Sequence, residues 1–116
     1  TKVGTPYKST HPHHPCTRWT GDTSTNFDWL CMHGLALCHE YYFRYRKIHA
    51  CQKPIDEMRR TNLSHEVLPI GDQTPFSQAV PDVFKSNNAV KAYRSYYKTK
   101  HFAKWKMGRS APAWWE

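Results

Sequence analysis

The stretch from Lys91 to Trp105 interleaves Tyr93, Tyr96, Tyr97, Phe102 and Trp105 with Lys91, Arg94, Lys98, Lys100 and Lys104. That mixture suits nucleic acid, because cations on phosphates release condensed counterions and flat side chains replace the stacking an unpaired base has lost. A plainer account makes the rings the core face of a helix and the cations its solvated face. Charge balance argues against it: from Val83 to Trp115 the chain holds Lys85, Lys91, Arg94, Lys98, Lys100, Lys104, Lys106 and Arg109, and no acid. These residues match the whole formal excess of +8, set by 17 Lys and Arg against 9 Asp and Glu. Such a face draws polyanions, which include nucleic acid, an anionic membrane surface and a phosphorylated partner. DNA is the expected partner, no membrane partner is expected, and the candidate contacts are Lys91, Arg94, Lys98, Lys100, Lys104, Tyr93, Tyr97, Trp105 and Arg18.

A second cluster has metal-ligand types: His11, His13, His14 and Cys16, with Cys31, His33, Cys38, His39, His49 and Cys51 further on. A structural zinc wants four N or S ligands, commonly from cysteines two to four residues apart. No such pair exists here. His11, His13 and Cys16 could reach one ion, while Pro12 and Pro15 account for the same segment as a rigid loop, so no metal and no cofactor is expected. Cys31 and Cys38 fall seven residues apart on one expected helix, ~10 Å along its axis, too far for a disulfide. Reduced, buried thiols are the expectation, with Cys16 and Cys51 left open as partners.

Among the few carboxylates Glu40 stands beside an apolar stripe, where burial would raise its pKa toward general acid or base work. The alternative is a salt bridge to Arg44 one turn later. Neither a Gly-rich phosphate loop, nor a nucleophile elbow, nor a Walker-type lysine is present.

Positioning these groups falls to a chain of 116 residues, the length of one domain, with 39% apolar and 15% aromatic residues to build one core. No apolar run is long enough to span a membrane and the first residues have no apolar leader, which sets the cytoplasm as the expected compartment. Residues 1–24 read as an extended arm or loop, since Thr5-Pro6, His11-Pro12 and His14-Pro15 steer away from helix. Residues 25–62 read as two helices. The first begins near Asn26 and carries Phe27, Leu30, Cys31, Gly34, Leu35, Cys38, Tyr42 and Tyr45 at spacings of three and four, with Arg44, Arg46 and Lys47 at its C-terminal end. The second opens at Pro54, has Asp56 and Glu57 in its first turn, and ends near Asn62. Residues 63–88, broken by Pro69, Gly71, Pro75 and Pro81, read as a long irregular connection held by Leu68, Ile70, Phe76 and Val80 or forming part of a site. Residues 89–116 are the basic aromatic helix, capped by Asn87 or Asn88 and carrying Val90, Tyr93, Tyr96, Tyr97 and Phe102, followed by a tail. The expectation is one all-α domain.

The run His14-Pro15-Cys16-Thr17-Arg18-Trp19, then Leu37-Cys38-His39-Glu40-Tyr41 followed by Arg44, Arg46-Lys47 and His49, resembles the pyrimidine-dimer DNA glycosylases of the endonuclease V type. Thr74 through Asp82, Ala92 through Tyr97 and the closing Pro112-Ala113-Trp114-Trp115 look like a phage-encoded branch of that group, so the resemblance touches most of the chain. It implies an all-helical protein of the host-cell cytoplasm, with glycosylase and abasic-site lyase activity. An N-terminal α-amine, here that of Thr1, would attack the sugar and form a Schiff base. The chemistry is sensible because an α-amine has a pKa near 7.7–8.0 against about 10.4 for lysine. The family's glutamate lies in an additional N-terminal segment ahead of the part that matches Thr5-Pro6-Tyr7-Lys8, so Glu40 is not its counterpart.

Three functions compete on this reading. The first is a DNA-repair glycosylase and lyase acting on damaged duplex DNA. The second is a non-catalytic phage accessory protein that binds nucleic acid or a host protein through the same basic third. The third is a metal-stabilised structural domain.

Overall fold

The computed structural model describes residues 11–61, 63–105 and 107–115. Thr1, Thr5-Pro6-Tyr7-Lys8 and Lys106 lie outside the described residues, and with them the candidate amine. The described residues hold five α-helices and no strand: α1 (Pro15–Asp22), α2 (Ser24–Tyr45), α3 (Gln52–Arg60), α4 (Leu63–Val67) and α5 (Ala89–Tyr97). Short 3-10 turns occupy Asp82–Phe84 and Ala113–Trp115. No described helix is long and apolar enough to cross a membrane.

The expected arm of residues 1–24 contains α1. The prolines are the reason for the difference: Pro15 starts this helix, at the position where a missing N–H costs nothing, and the His14 ring nitrogen Nδ1 accepts from the Cys16 amide as its cap. α1 ends at a single extended residue, Thr23, whose hydroxyl oxygen accepts from the Asn26 amide to open α2. In α3 the helix starts at Gln52, two residues ahead of Pro54. Pro54 is tolerated there because the first four amides of a helix have no intrahelical acceptor. The expected irregular connection of residues 63–88 carries α4 and a 3-10 turn. α5 opens where Asn88 accepts from Lys91 and closes before Phe102: the Thr99 hydroxyl donates to the Tyr96 carbonyl, and Lys100 folds back on Tyr97 in a turn.

α2 is the central element and packs on α1, α3 and α4. Two neighbouring stripes of it do different work. Cys31, Gly34 and Cys38 form the first, with both cysteines buried and Gly34 close to α3, where a Cβ would meet Ile55 Cδ1 at 3.0 Å. Leu30, His33, Leu37, Glu40 and Arg44 form the second, about 100° round the helix, with Leu30, His33 and Leu37 exposed.

The segment after α4 is irregular but held. The Ser24 amide donates to the Pro69 carbonyl, and the Thr25 hydroxyl to the Gly71 carbonyl, so the loop supplies acceptors to the N-terminal end of α2. Asn26, fully buried, reaches three ways: Nδ2 donates to the Trp19 carbonyl and to Thr74 Oγ1, and Oδ1 accepts from the Thr74 amide. Further on, the Gln78 side-chain amide donates to the Ser86 carbonyl and accepts from its amide, closing the turn that delivers the chain to α5.

Candidate functional site

A cleft of about 470 Å³ opens between these held segments. One wall is built by α1, α2 and the loop. Trp19 meets Trp29 edge to face at 5.7 Å and Phe76 at 5.2 Å, and Trp29 lies 4.6 Å from Phe76 and stacks on His33 at 4.9 Å. The order of this wall comes from polar contacts behind it, since Trp19 Nε1 donates to the Thr74 carbonyl, two residues from Phe76.

The opposite wall is α5 and the tail. Val90, Tyr93, Arg94 and Tyr97 recur at three and four residues, which puts them on one face of α5, and all line the cleft with Trp114 of the tail. The Arg94 guanidinium lies over the Trp114 ring at 5.2 Å. Lys91 and Lys98 fall on the flank of that face, both exposed, one at each end of the helix. The walls are joined through Tyr93. Its hydroxyl donates to the Ser77 carbonyl at 2.6 Å, accepts from the Ala79 amide at 3.0 Å and lies 3.6 Å from Cys16 Sγ. Burial pushes its pKa above the usual tyrosine value.

The cleft is therefore a slot of flat rings with one guanidinium in its wall and ammonium groups on its flank. Planar, apolar faces can enter it and stack, while an attached anion meets Arg94.

The candidate contacts are distributed unevenly around it. Arg94, Tyr93 and Tyr97 line it, and Lys91 and Lys98 flank it. Lys100 is drawn onto Tyr96, with Nζ 3.0 Å from the hydroxyl and 4.2 Å from the ring centroid. Lys104 is exposed on the segment after α5, and Trp105 packs edge to face on Trp115 at 5.1 Å rather than in the cleft. Arg18, on α1, contacts the His13 ring at 3.2 Å. Trp19, Trp29, His33, Phe76 and Trp114 also line the cleft, none of them among the nucleic-acid contacts expected from the sequence. The high tryptophan content was the available signal.

Glu40 does not have the raised pKa that burial beside an apolar stripe would produce. Its carboxylate accepts from Arg44 Nε at 2.7 Å and, from the tail, from Arg109 Nε at 3.0 Å and Nη2 at 2.9 Å. Those hydrogen bonds hold its pKa below the usual carboxylate range, Arg44 contributing most and Arg109 next. Its carboxylate is committed to two guanidiniums, one of them from the tail, so Glu40 anchors the tail to α2.

His11, His13 and Cys16 are not drawn together: His13 contacts Arg18, Cys16 contacts Tyr93, and no group of three His, Cys, Asp or Glu among the described residues could hold a metal ion. Cys16, Cys31, Cys38 and Cys51 are all free thiols, and burial pushes Cys31 and Cys38 above the usual thiol pKa.

Comparison with protein-family models, with curated proteins and with solved structures gives no match.

Proposed function

We propose that the protein binds DNA through α5 and the aromatic cleft, as a repair protein of the pyrimidine-dimer glycosylase and abasic-site lyase kind. The observation that carries the binding half is the arrangement of the cleft: rings from five segments around an opening walled by Arg94 and flanked by Lys91 and Lys98. Phosphates meet Lys91, Arg94, Lys98 and Lys104, and a base displaced from the stack enters between the rings. Neutralising three or four phosphates makes binding steeply salt-dependent, with a slope of roughly −0.9 per phosphate in the logarithmic plot.

The catalytic half rests on the resemblance, which implies an N-terminal α-amine as nucleophile. Incubating the protein with abasic-site DNA and borohydride tests it directly, since a Schiff base is trapped as a covalent complex. A trapped complex is expected; its absence, with DNA binding intact, removes the enzyme.

One observation favours the non-catalytic reading, in which the protein is an accessory that binds nucleic acid without cutting it. Glu40, the acid best placed in the sequence, is engaged by Arg44 and Arg109. The same trapping experiment separates the two readings.

A further inference from the structure

The geometry points to a second phosphate-binding site, at the C-terminal end of α2, formed by Arg46 and Arg109 on the Phe43 ring and by Arg44, which shares Glu40 with Arg109. It is assigned to the same nucleic acid that α5 engages, and to that extent rests on the function proposed above.

Glu40 and Phe43 position the cations. Arg109 lies with its guanidinium carbon 3.7 Å from the Phe43 ring centroid while Nε and Nη2 are on Glu40, which leaves Nη1 as its outer edge. Arg44 gives only Nε to Glu40, so its two terminal nitrogens have no hydrogen-bond partner among the described residues. Arg46 sits 5.9 Å from the same Phe43 ring and 5.9 Å from Tyr42, and its guanidinium has no carboxylate partner among the described residues. Arg46 and Arg109 thus share one aromatic ring, and Arg44 and Arg109 share one carboxylate.

Electrostatics decides what such a cluster wants. Three arginines and the adjacent exposed Lys47 face one carboxylate and the roughly half negative charge of the helix end, so the site stays positive by about two to three charges. A guanidinium with free N–H groups held by stacking has little left to order when a phosphate arrives, and its fork matches phosphate oxygens.

Position decides which polyanion. His33 lines the cleft and Arg44 follows it by eleven residues, so both lie on one stripe of α2, ~16 Å apart along the axis. At ~3.4 Å per nucleotide step that spans about five steps of one strand. The tail links the same two places, with Trp114 at the cleft and Arg109 at Phe43. A strand whose base occupies the cleft therefore has phosphates within reach of the arginines.

Arg46 offers a variant that does not threaten the fold. It caps α2 in the left-handed conformation at φ 55°, which glycine adopts freely, so Arg46→Gly removes the cation and relieves the backbone. The test is fluorescence anisotropy with a labelled duplex of about 16 base pairs, long enough at ~3.4 Å per pair to outspan the protein's 43 Å longest dimension. Wild type, R46G/K47A and K91A/K98A are titrated over a range of salt, with melting curves on each. The proposal expects R46G/K47A to melt no lower than wild type, to bind about tenfold or more weakly at low salt, and to lose nearly two units of salt slope. Unchanged affinity and slope in R46G/K47A, with K91A/K98A weakened, overturns the second site and leaves the α5 interface standing. Wild-type behaviour in both variants overturns the site and the proposed function together.

Discussion

Asn26 holds Thr74 with both ends of its side-chain amide, donating to the threonine hydroxyl at 2.9 Å and accepting from its backbone amide at 3.0 Å. Because Trp19 also donates to the Thr74 carbonyl, every polar group of Thr74 is bound to the α1–α2 junction. Phe76 enters the cleft two residues later. The position of one wall of the site is thus set by a buried asparagine that touches no ligand.

Asn26→Ala should accordingly destabilise the protein by about 3 kcal/mol, since it strands the Trp19 carbonyl and the Thr74 amide in a buried place. Urea denaturation followed by tryptophan fluorescence measures this. A loss under 1 kcal/mol would show that water or the loop can replace the asparagine.

Tyr93 carries a pH prediction. Burial raises its pKa above the ordinary value of 10.0, so in the unfolded chain the phenol ionises first. Stability from this group is whole below pH 10 and is lost as pH rises through the folded pKa. Tyr93→Phe should cost about 1–3 kcal/mol at neutral pH, because the Ser77 carbonyl and Ala79 amide lose their partner. The gap between variant and wild type should narrow above pH 10 in urea midpoints taken across that range.

Glu40 works in the opposite direction. Its pKa is lowered by Arg44 and Arg109, so its stabilisation is present above the ordinary value of 4.5 and is lost as pH falls through the folded pKa. Glu40→Gln should melt lower than wild type at pH 7, and the difference should shrink progressively in acid. A constant difference down to pH 2 would mean the carboxylate charge contributes nothing.

The cleft and its cations can be separated by salt. Trp114→Ala removes a flat wall but no charge, and should weaken DNA binding by about 1–3 kcal/mol with the salt slope unchanged. Arg94→Ala should weaken binding and also lower the slope by roughly one unit. Anisotropy titrations at several salt concentrations give both numbers. Equal slopes for the two variants would place Arg94 away from the phosphates.

Gly34 tests the scaffold. A valine there meets Ile55 at the α2–α3 contact and is predicted to cost about 1–3 kcal/mol. Thermal melts of Gly34→Val measure it, and an unchanged melting temperature would show that the two helices can move apart freely.

How much of this was legible depends on whether the relevant physics is local. α2 and α5 were readable because three-and-four spacing of apolar residues, the Asn88 cap and the cations closing α2 all act within a few neighbours. α1 was missed because Pro15 breaks a helix from inside and starts one from its first position, and composition does not distinguish the two. Tyr93, Tyr97 and Arg94 were readable as one face of one helix. Trp19, Trp29 and Phe76 were not: they meet because Asn26 bonds a residue 48 positions away, and no periodicity records such a bond. Glu40 was ambiguous for the same reason, since Arg44 lay one turn off but Arg109 came from 69 residues beyond.

Tyr93 makes contact with Cys16 across 77 residues, and with Ser77 and Ala79 on the way. A half-folded chain, even one with α2 and α3 already paired, does not have the cleft, because its walls meet only where remote segments have converged on that hydroxyl. Occupancy and the completion of folding should then be thermodynamically linked: whatever fills the slot will raise the melting temperature of the whole molecule and slow exchange of amides as remote as those of α1.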